Sequence, residues 1–270
     1  MPETLKLSGK EINKEEVIAV KNISNPGSAI GEAVGKLVEL EISELIKRVI
    51  AKSKKGFIVD SGGPIEGRRI GKKLLMRDRA GNDYEIDIVV EDSTHKPIIL
   101  IESKWLRYKK HNRDKGSWVC TAHYSLRKTF TSIRKTMVVL IGNWSETSIK
   151  LMESFGIEVQ HVPYTHVVEQ LGKYNIPFDW DEKDRKTATI AWNNFNKLTE
   201  EELRKLAYSI TQNILNPIEK SVADCLMQDC TLRDIREVEL TIKSNIGEFF
   251  NKDFKTIEEA ISYLQSFSFE

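Results

Sequence analysis

A chain of 270 residues, 40% hydrophobic and 30% charged, carries enough apolar material for a sizeable core and too much to stay disordered. Its formal charge of +1 excludes a uniformly basic or acidic protein, so any surface for a polyanion must come from local concentration of charge. No apolar run approaches the ~20 residues needed to span a bilayer. The opening MPETLKLSGKEINKEE has no signal-peptide core, and a cytoplasmic protein without membrane association is the expectation.

Residues 1–27 are expected to form an N-terminal extension, closing on the turn-like NISNPGSAIG (Asn22 to Gly31). From Ser28 to about Ala51, Ile30, Val34, Leu37, Val38, Ile42, Leu45, Ile46 and Ile50 recur at three- and four-residue spacing, which predicts a long amphipathic helix. GFIVD (Gly56 to Asp60), the glycine-rich SGGPIEG and RRIGKKLLMRD (Arg68 to Asp78) follow. The turn signal RAGND then leads into YEIDIVVEDSTHKPIILIESKW (Tyr84 to Trp105), two apolar strands joined at DSTHK.

After Trp105 a basic loop leads to a helix expected near Trp118 to Arg134. TMVVLIG (Thr136 to Gly142) has the pattern of a buried strand. Ser145 caps the helix SETSIKLMESFG, which ends at Gly156. IEVQHV gives a further strand and THVVEQLGKY a further helix.

Meandering strands followed by alternating helix and strand predict an α/β core, a mixed central sheet flanked by helices, over residues 28–178. Residues 179–270 show no convincing strand and several helical runs, such as TEEELRKLAYSITQNIL with Thr199 as cap, so a helical C-terminal region is expected. From Asp181 to Glu270 it holds 12 Lys plus Arg against 17 Asp plus Glu, which favours core support or self-association over DNA reading. Three cysteines, Cys120, Cys225 and Cys230, are an odd number at no familiar ligand spacing. They point to buried thiols in a reducing setting and away from zinc.

The two strands of the Tyr84–Trp105 stretch carry charges where a core would prefer Ile or Val. With alternation, Glu85, Asp87 and Val89 share one face, and Ile86, Ile88 and Val90 the other. Ile98, Leu100, Glu102 and Lys104 share a face of the second strand, and a hairpin turn near DSTHK brings Asp87 beside Glu102 and Lys104. Two carboxylates held together repel, and a hard cation such as Mg²⁺ between them makes the arrangement favourable. A metal held there binds a phosphate oxygen and acidifies a water. A lysine on the same face orients that water or offsets charge on phosphorus. Phosphodiester hydrolysis is the chemistry that fits. The competing reading is a cross-strand charge network on a solvated sheet face.

Asp87 on one strand followed by Glu102-Ser103-Lys104 on the next resembles the PD-(D/E)XK superfamily, the fold of many restriction endonucleases and DNA-repair nucleases. Ile86 stands where the family often has proline. GKLVELEISELI resembles the family's G-x-x-x-E stretch on the first core helix, which makes Glu39 a further metal-site residue, with Glu32 and Glu41 as alternatives. The resemblance covers roughly residues 28–170. It implies a restriction-endonuclease-like core in which Asp87, Glu102 and Glu39 hold Mg²⁺ (or Mn²⁺ in its place). Lys104 then aligns the attacking water.

KWLRYKKHNRDKGSWVCTAHYSLRKTFTSIRK (Lys104 to Lys135) holds ten Lys plus Arg against one acid, Asp114. Such a concentration beside a metal site is the footprint of a phosphate backbone, so Arg107, Lys109, Lys110, His111, Arg113, Lys115, Arg127, Lys128 and Arg134 are expected to contact DNA. Trp105, Tyr108, Trp118, Tyr124 and Phe130 are interleaved, and for each a core role outweighs base stacking. Together these readings predict a Mg²⁺-dependent endonuclease of double-stranded DNA, a type II restriction enzyme acting as a homodimer. The alternatives are a repair, recombination or modification-dependent nuclease of the same superfamily, and a DNA-binding protein that kept the fold without chemistry.

Overall fold

The structure, a computed structural model, describes residues 13–18, 25–53, 55–181, 183–227 and 232–269. Most of the expected N-terminal extension (1–12 and 19–24) and Cys230 lie outside these residues. The chain divides into two units, one through Leu226 and one from Met227 onward.

The first unit opens with α1 (Lys14–Ile18), whose Val17 enters the core, and the long α2 (Pro26–Ser53). Asn25 Oδ1 accepts from the Ser28 N–H and Pro26 fills the first helical position, a start that satisfies one unpaired amide and removes another. Then come β1 (Ile58–Asp60), β2 (Leu75–Arg77), β3 (Asp83–Glu85), β4 (Ile88–Glu91) and β5 (Pro97–Leu106). A short 3-10 turn (Lys109–His111) runs into α3 (Asn112–Thr129), followed by β6 (Lys135–Gly142), α4 (Glu146–Ser154), β7 (Glu158–Pro163) and α5 (Tyr164–Gly172). Helices α6 (Arg185–Lys197) and α7 (Glu200–Met227) complete the unit.

The central sheet has five strands in the order β1-β4-β5-β6-β7. The β1–β4 and β4–β5 pairs are antiparallel, while β5–β6 and β6–β7 are parallel. The protein is thus α/β with a mixed sheet. Fully buried Ile99, Ile101, Val139 and Ile141 face α2, α6 and α7 through Leu37, Phe195 and Ile210. On the opposite face Val89 and Leu100 meet Ala122 and Leu126 of α3. Helices on both faces explain the near-continuous apolar runs of β5 and β6. Among the described residues, no helix is long and apolar enough to cross a membrane.

Three expectations need correction. YEIDIVV is not one strand: β3 ends at Glu85 and β4 begins at Ile88. Because Asp87 lies in the break, alternation fails and Ile86 packs with Val89 and Leu100 instead of with Ile88. The helix expected near Trp118 to Arg134 is α3, Asn112–Thr129, and β2 pairs with β3 in a separate two-stranded sheet. The region beyond 179 is also not wholly helical. The second unit pairs β8 (Val238–Lys243) with β9 (Phe249–Phe254) in an antiparallel hairpin before α8 (Ile257–Ser266), its aromatics clustering as Phe250 with Phe267 and Phe254 with Tyr263.

Candidate functional site

Strand β5 changes character along its length. Its first residues, Pro97 to Ile101, are buried between helices on both faces, while Ser103 and Lys104 reach partial exposure. The hairpin turn sits at Asp92–Lys96, where the Asp92 N–H donates to the Lys96 carbonyl, and sets Ile88 opposite Ile101. Asp87, just before β4, therefore stands beside Glu102 and Ser103. The Ser103 N–H donates to Asp87 Oδ2 at 2.7 Å, fixing the carboxylate against the strand.

Lys104 joins the two acids. Its ammonium lies 2.9 Å from Glu102 Oε2 and 3.5 Å from Asp87 Oδ2. Glu102 is only 2% exposed, and its approach to Lys104 is off the axis of a hydrogen bond, so Oε2 is an ion-pair partner with no aligned donor among the described residues. His123 of α3 closes the other side, Nε2 standing 3.4 Å from Glu102 Oε1.

The electrostatics separate the two carboxylates. Burial pushes Asp87 up to about 6, against the pull of Lys104, with repulsion from Glu102 and Glu39 adding to the rise. Burial acts upward on Glu102 too, but Lys104 and His123 outweigh it and hold that carboxyl below the usual range. For Lys104 burial opposes charge, yet Glu102 and Asp87 raise its pKa above that of an ordinary lysine. The site holds one firmly ionised acid, one acid poised between states, and a permanent cation between them.

The end of β5 is secured from its neighbours. Trp144 Nε1 donates to the Lys104 carbonyl at 3.3 Å, and the Asn143 N–H donates to the Leu106 carbonyl at 2.7 Å. Gly142 permits this approach: φ is +100° and a Cβ there would fall 2.1 Å from the Leu106 oxygen. Asn112 Oδ1 accepts from the Ser145 N–H while its amide donates to the carbonyls of Lys109 and Asn143, tying the start of α3 to the same strand ends.

Glu39 projects from α2 near enough for its charge to act on Asp87, but Lys36 occupies its carboxylate at 2.9 Å. Glu41 pairs with Arg48 and Glu32 is exposed. Among the described residues no three His, Cys, Asp or Glu side chains converge to enclose a metal. The donor set suits Mg²⁺ all the same, because that ion is usually held by one or two carboxylates plus substrate oxygens. Glu102 Oε2, buried with no aligned donor, and Asp87, whose charge is disfavoured where it stands, are oxygens a hard cation would satisfy.

The expected DNA-contacting residues fall into three places. Lys109, Lys110, His111, Arg113 and Lys115 are exposed around the start of α3, beside the site. Arg127 and Lys128 lie at the far end of that helix, and the Arg134 N–H donates to Ile98 at the opposite end of β5. Twelve residues of helix separate Lys115 from Arg127, about 18 Å. Arg107 stands apart. It is buried, with its guanidinium 3.6 Å from the Trp180 ring centroid and donating to the Trp180 carbonyl. Trp105 packs against Phe178 and fits over Gly31, where a Cβ would come within 2.7 Å of its Nε1.

His123, which the sequence offers only as a weak helper at the basic surface, stands instead beside Glu102. Its only signal was its place in α3, on the buried side with Val119, Ala122 and Leu126. His161 and His166 serve structure, each ring meeting a backbone carbonyl at 3.0 Å.

No family model and no curated protein matches the chain. A crystal structure of a protein of unknown function (AF1548) is similar over 70% of this chain and 99% of its own, at 14% identity and a TM-score of 0.31.

Proposed function

We propose that this chain is a metal-dependent endodeoxyribonuclease with a restriction-endonuclease-like core, hydrolysing phosphodiester bonds of double-stranded DNA. Within that class a type II restriction enzyme acting as a homodimer is the reading we favour, since cutting both strands calls for two sites related by symmetry. One observation carries the proposal: Asp87, just ahead of β4, and Glu102 of β5 meet on the ammonium of Lys104. A solvated charge network would not bury Glu102 to 2% exposure or leave Oε2 without an aligned donor.

Asp87 and Glu102 would hold Mg²⁺ (Mn²⁺ in its place), with Glu39 adding negative charge from α2. Bound there, the ion supplies Lewis acidity toward a phosphate oxygen and a water of lowered pKa. Lys104, whose charge Glu102 and Asp87 favour, would orient the attacking water as a donor and offset negative charge growing on phosphorus. His123 and Ser103 hold the two carboxylates in place. The cations at the start of α3 bind the backbone on either side of the scissile phosphate.

The test is cleavage of plasmid DNA with Mg²⁺ or Mn²⁺ by the unaltered protein and by Asp87→Asn. Cleavage lost in the variant with binding retained supports the enzyme. No cleavage by the unaltered protein under any metal condition overturns it and leaves a DNA-binding protein. Discrete fragments from long DNA mark a restriction enzyme, whereas cutting that follows DNA structure or methylation marks the repair or modification-dependent alternative.

A further inference from the structure

We propose that the cleft beyond Lys104 is a subsite for one unpaired nucleotide of the DNA strand, next to the scissile phosphate; the inference rests on the nuclease reading. The cleft encloses about 470 Å³ between the start of α2, the end of β5 and the start of α6. That volume lies in the range of roughly 300–1,000 Å³ typical of small-ligand pockets. It is large enough to take a nucleotide.

Three aromatic side chains line it, Trp105, Tyr108 and Trp180. Two of them are fixed in advance. Trp180 is clamped by the guanidinium of Arg107, and Trp105 is seated over Gly31 with Phe178 at its side. Rigid aromatic walls bind bases without regard to sequence, each stacked base contributing about 1–3 kcal/mol.

The charge in the cleft calls for an anion. Lys115 anchors its ammonium on the Trp105 carbonyl at 3.0 Å, and among the described residues it has no carboxylate partner. Burial and the nearby charge of Lys104 both disfavour its protonated form, a strain that a phosphate would relieve. Arg185, exposed at the start of α6, likewise has no ion-pair partner among the described residues. Of the two acids in the lining, Asp184 is committed as the cap of α6, accepting from Thr187 N and Oγ1, and Glu32 is exposed. Trp105 follows Lys104 on β5 with its side chain on the other face, and Lys115, which lines the cleft, lies close enough to Lys104 for the two charges to interact, so the cleft opens beside Lys104 around the end of that strand.

Extruding a nucleotide from a duplex costs a few kcal/mol, so DNA in which it is already unpaired binds more tightly. The experiment compares a blunt duplex with the same duplex carrying a splayed end and 2-aminopurine at the unpaired position, in chelator to prevent cutting. The unaltered protein should bind the splayed duplex at least tenfold more tightly and quench the 2-aminopurine. Arg185→Gln, a change at an exposed position, should lose most of that preference, as should Trp180→Leu if it folds. Equal affinity for the two duplexes, or a preference unchanged by Arg185→Gln, overturns the subsite while plasmid cleavage keeps the nuclease reading. No binding of either duplex, with no plasmid cleavage, overturns both.

Discussion

Lys104 and Glu102 stand two residues apart on one face of β5, and the ammonium of the first lies 2.9 Å from Oε2 of the second. Because Glu102 is almost wholly buried, this pair cannot be treated as a surface salt bridge of little consequence. Removing one partner of a buried pair strands the other charge, at a cost of about 3–5 kcal/mol. Lys104→Met is therefore expected to lower stability by that order and cleavage by about 10²–10³-fold, the scale of losing one electrostatic donor at a transition state. Urea denaturation checks the first and plasmid cleavage the second. Adding Glu102→Gln to Lys104→Met should recover stability without recovering cleavage. A double variant as unstable as the single one would show that the pair is not what Lys104→Met disrupts.

Asp87 gives a pH dependence of opposite sign to that of most paired carboxylates. Its folded-state pKa, about 6, exceeds the ordinary 3.8, so the folded protein holds the proton more tightly than the unfolded chain. Stability from this group is present below the ordinary value and is lost as pH rises through about 6. In metal-free buffer at pH 7.5, Asp87→Asn is expected to be more stable than the unaltered protein by on the order of 2 kcal/mol. The advantage should fade by pH 4, and Mg²⁺ should raise the Tm of the unaltered protein alone. Thermal unfolding across pH with and without Mg²⁺ measures all three. A variant less stable at pH 7.5 would mean that the ion pair with Lys104 outweighs burial.

Sequence pattern carried the α/β architecture and the meeting of Asp87 with Glu102 and Lys104, because one hairpin turn suffices to set the residue ahead of β4 beside the end of β5. It misjudged the path to Asp87. The strand breaks between Glu85 and Ile88, and a break of two residues leaves no trace in an apolar run. The β8–β9 hairpin escaped notice for a related reason. VELTIK carries a short alternation, with Val238, Leu240 and Ile242 half-buried on one face, but its partner FFNKDF is exposed along most of its length and shows no stripe that would mark a second strand. His123 was illegible because its role depends on α3 crossing over Glu102, a relation set by tertiary packing. Arg107 counted among the basic residues in sequence, but its partner, Trp180, lies 73 positions away.

His123 is fully buried, and neither ring nitrogen has an aligned hydrogen-bond partner among the described residues. A ring so placed supports Glu102 electrostatically and sterically. His123→Ala is expected to cost about 2–4 kcal/mol, combining a cavity with the lost contact. Cleavage should fall by roughly 10–100-fold, as for residues that orient a metal ligand. His123→Gln, which keeps a polar group near Glu102 Oε1, should restore most of the activity. If the Gln and Ala variants cleave equally poorly, packing alone explains the residue. Cleavage assays at several Mg²⁺ concentrations separate the cases, since a positioning defect raises the Mg²⁺ requirement and a packing defect does not.

The separation of basic residues along α3 predicts how salt and DNA length act together. Lys109 and Arg113 stand at the start of the helix by the site, while Arg127 and Lys128 lie at its end, Lys128 packed 4.3 Å from the Tyr124 ring centroid. The ~21 Å of helix between these groups, from Arg113 to Arg127, exceeds the Debye length of ~8 Å at physiological salt, so they act on DNA as independent patches. Each phosphate contact contributes about 0.9 to the slope of log affinity against log salt. Lys109→Gln with Arg113→Gln should reduce that slope by about 2 on any duplex that fills the site, and weaken cleavage in parallel. Arg127→Gln with Lys128→Gln should leave cleavage of a short duplex unchanged, and alter the slope only on DNA long enough to reach the far end of the helix. Fluorescence anisotropy on duplexes of two lengths makes the comparison. Equal slope changes from both pairs on the short duplex would mean that DNA lies along α3 instead of across its start.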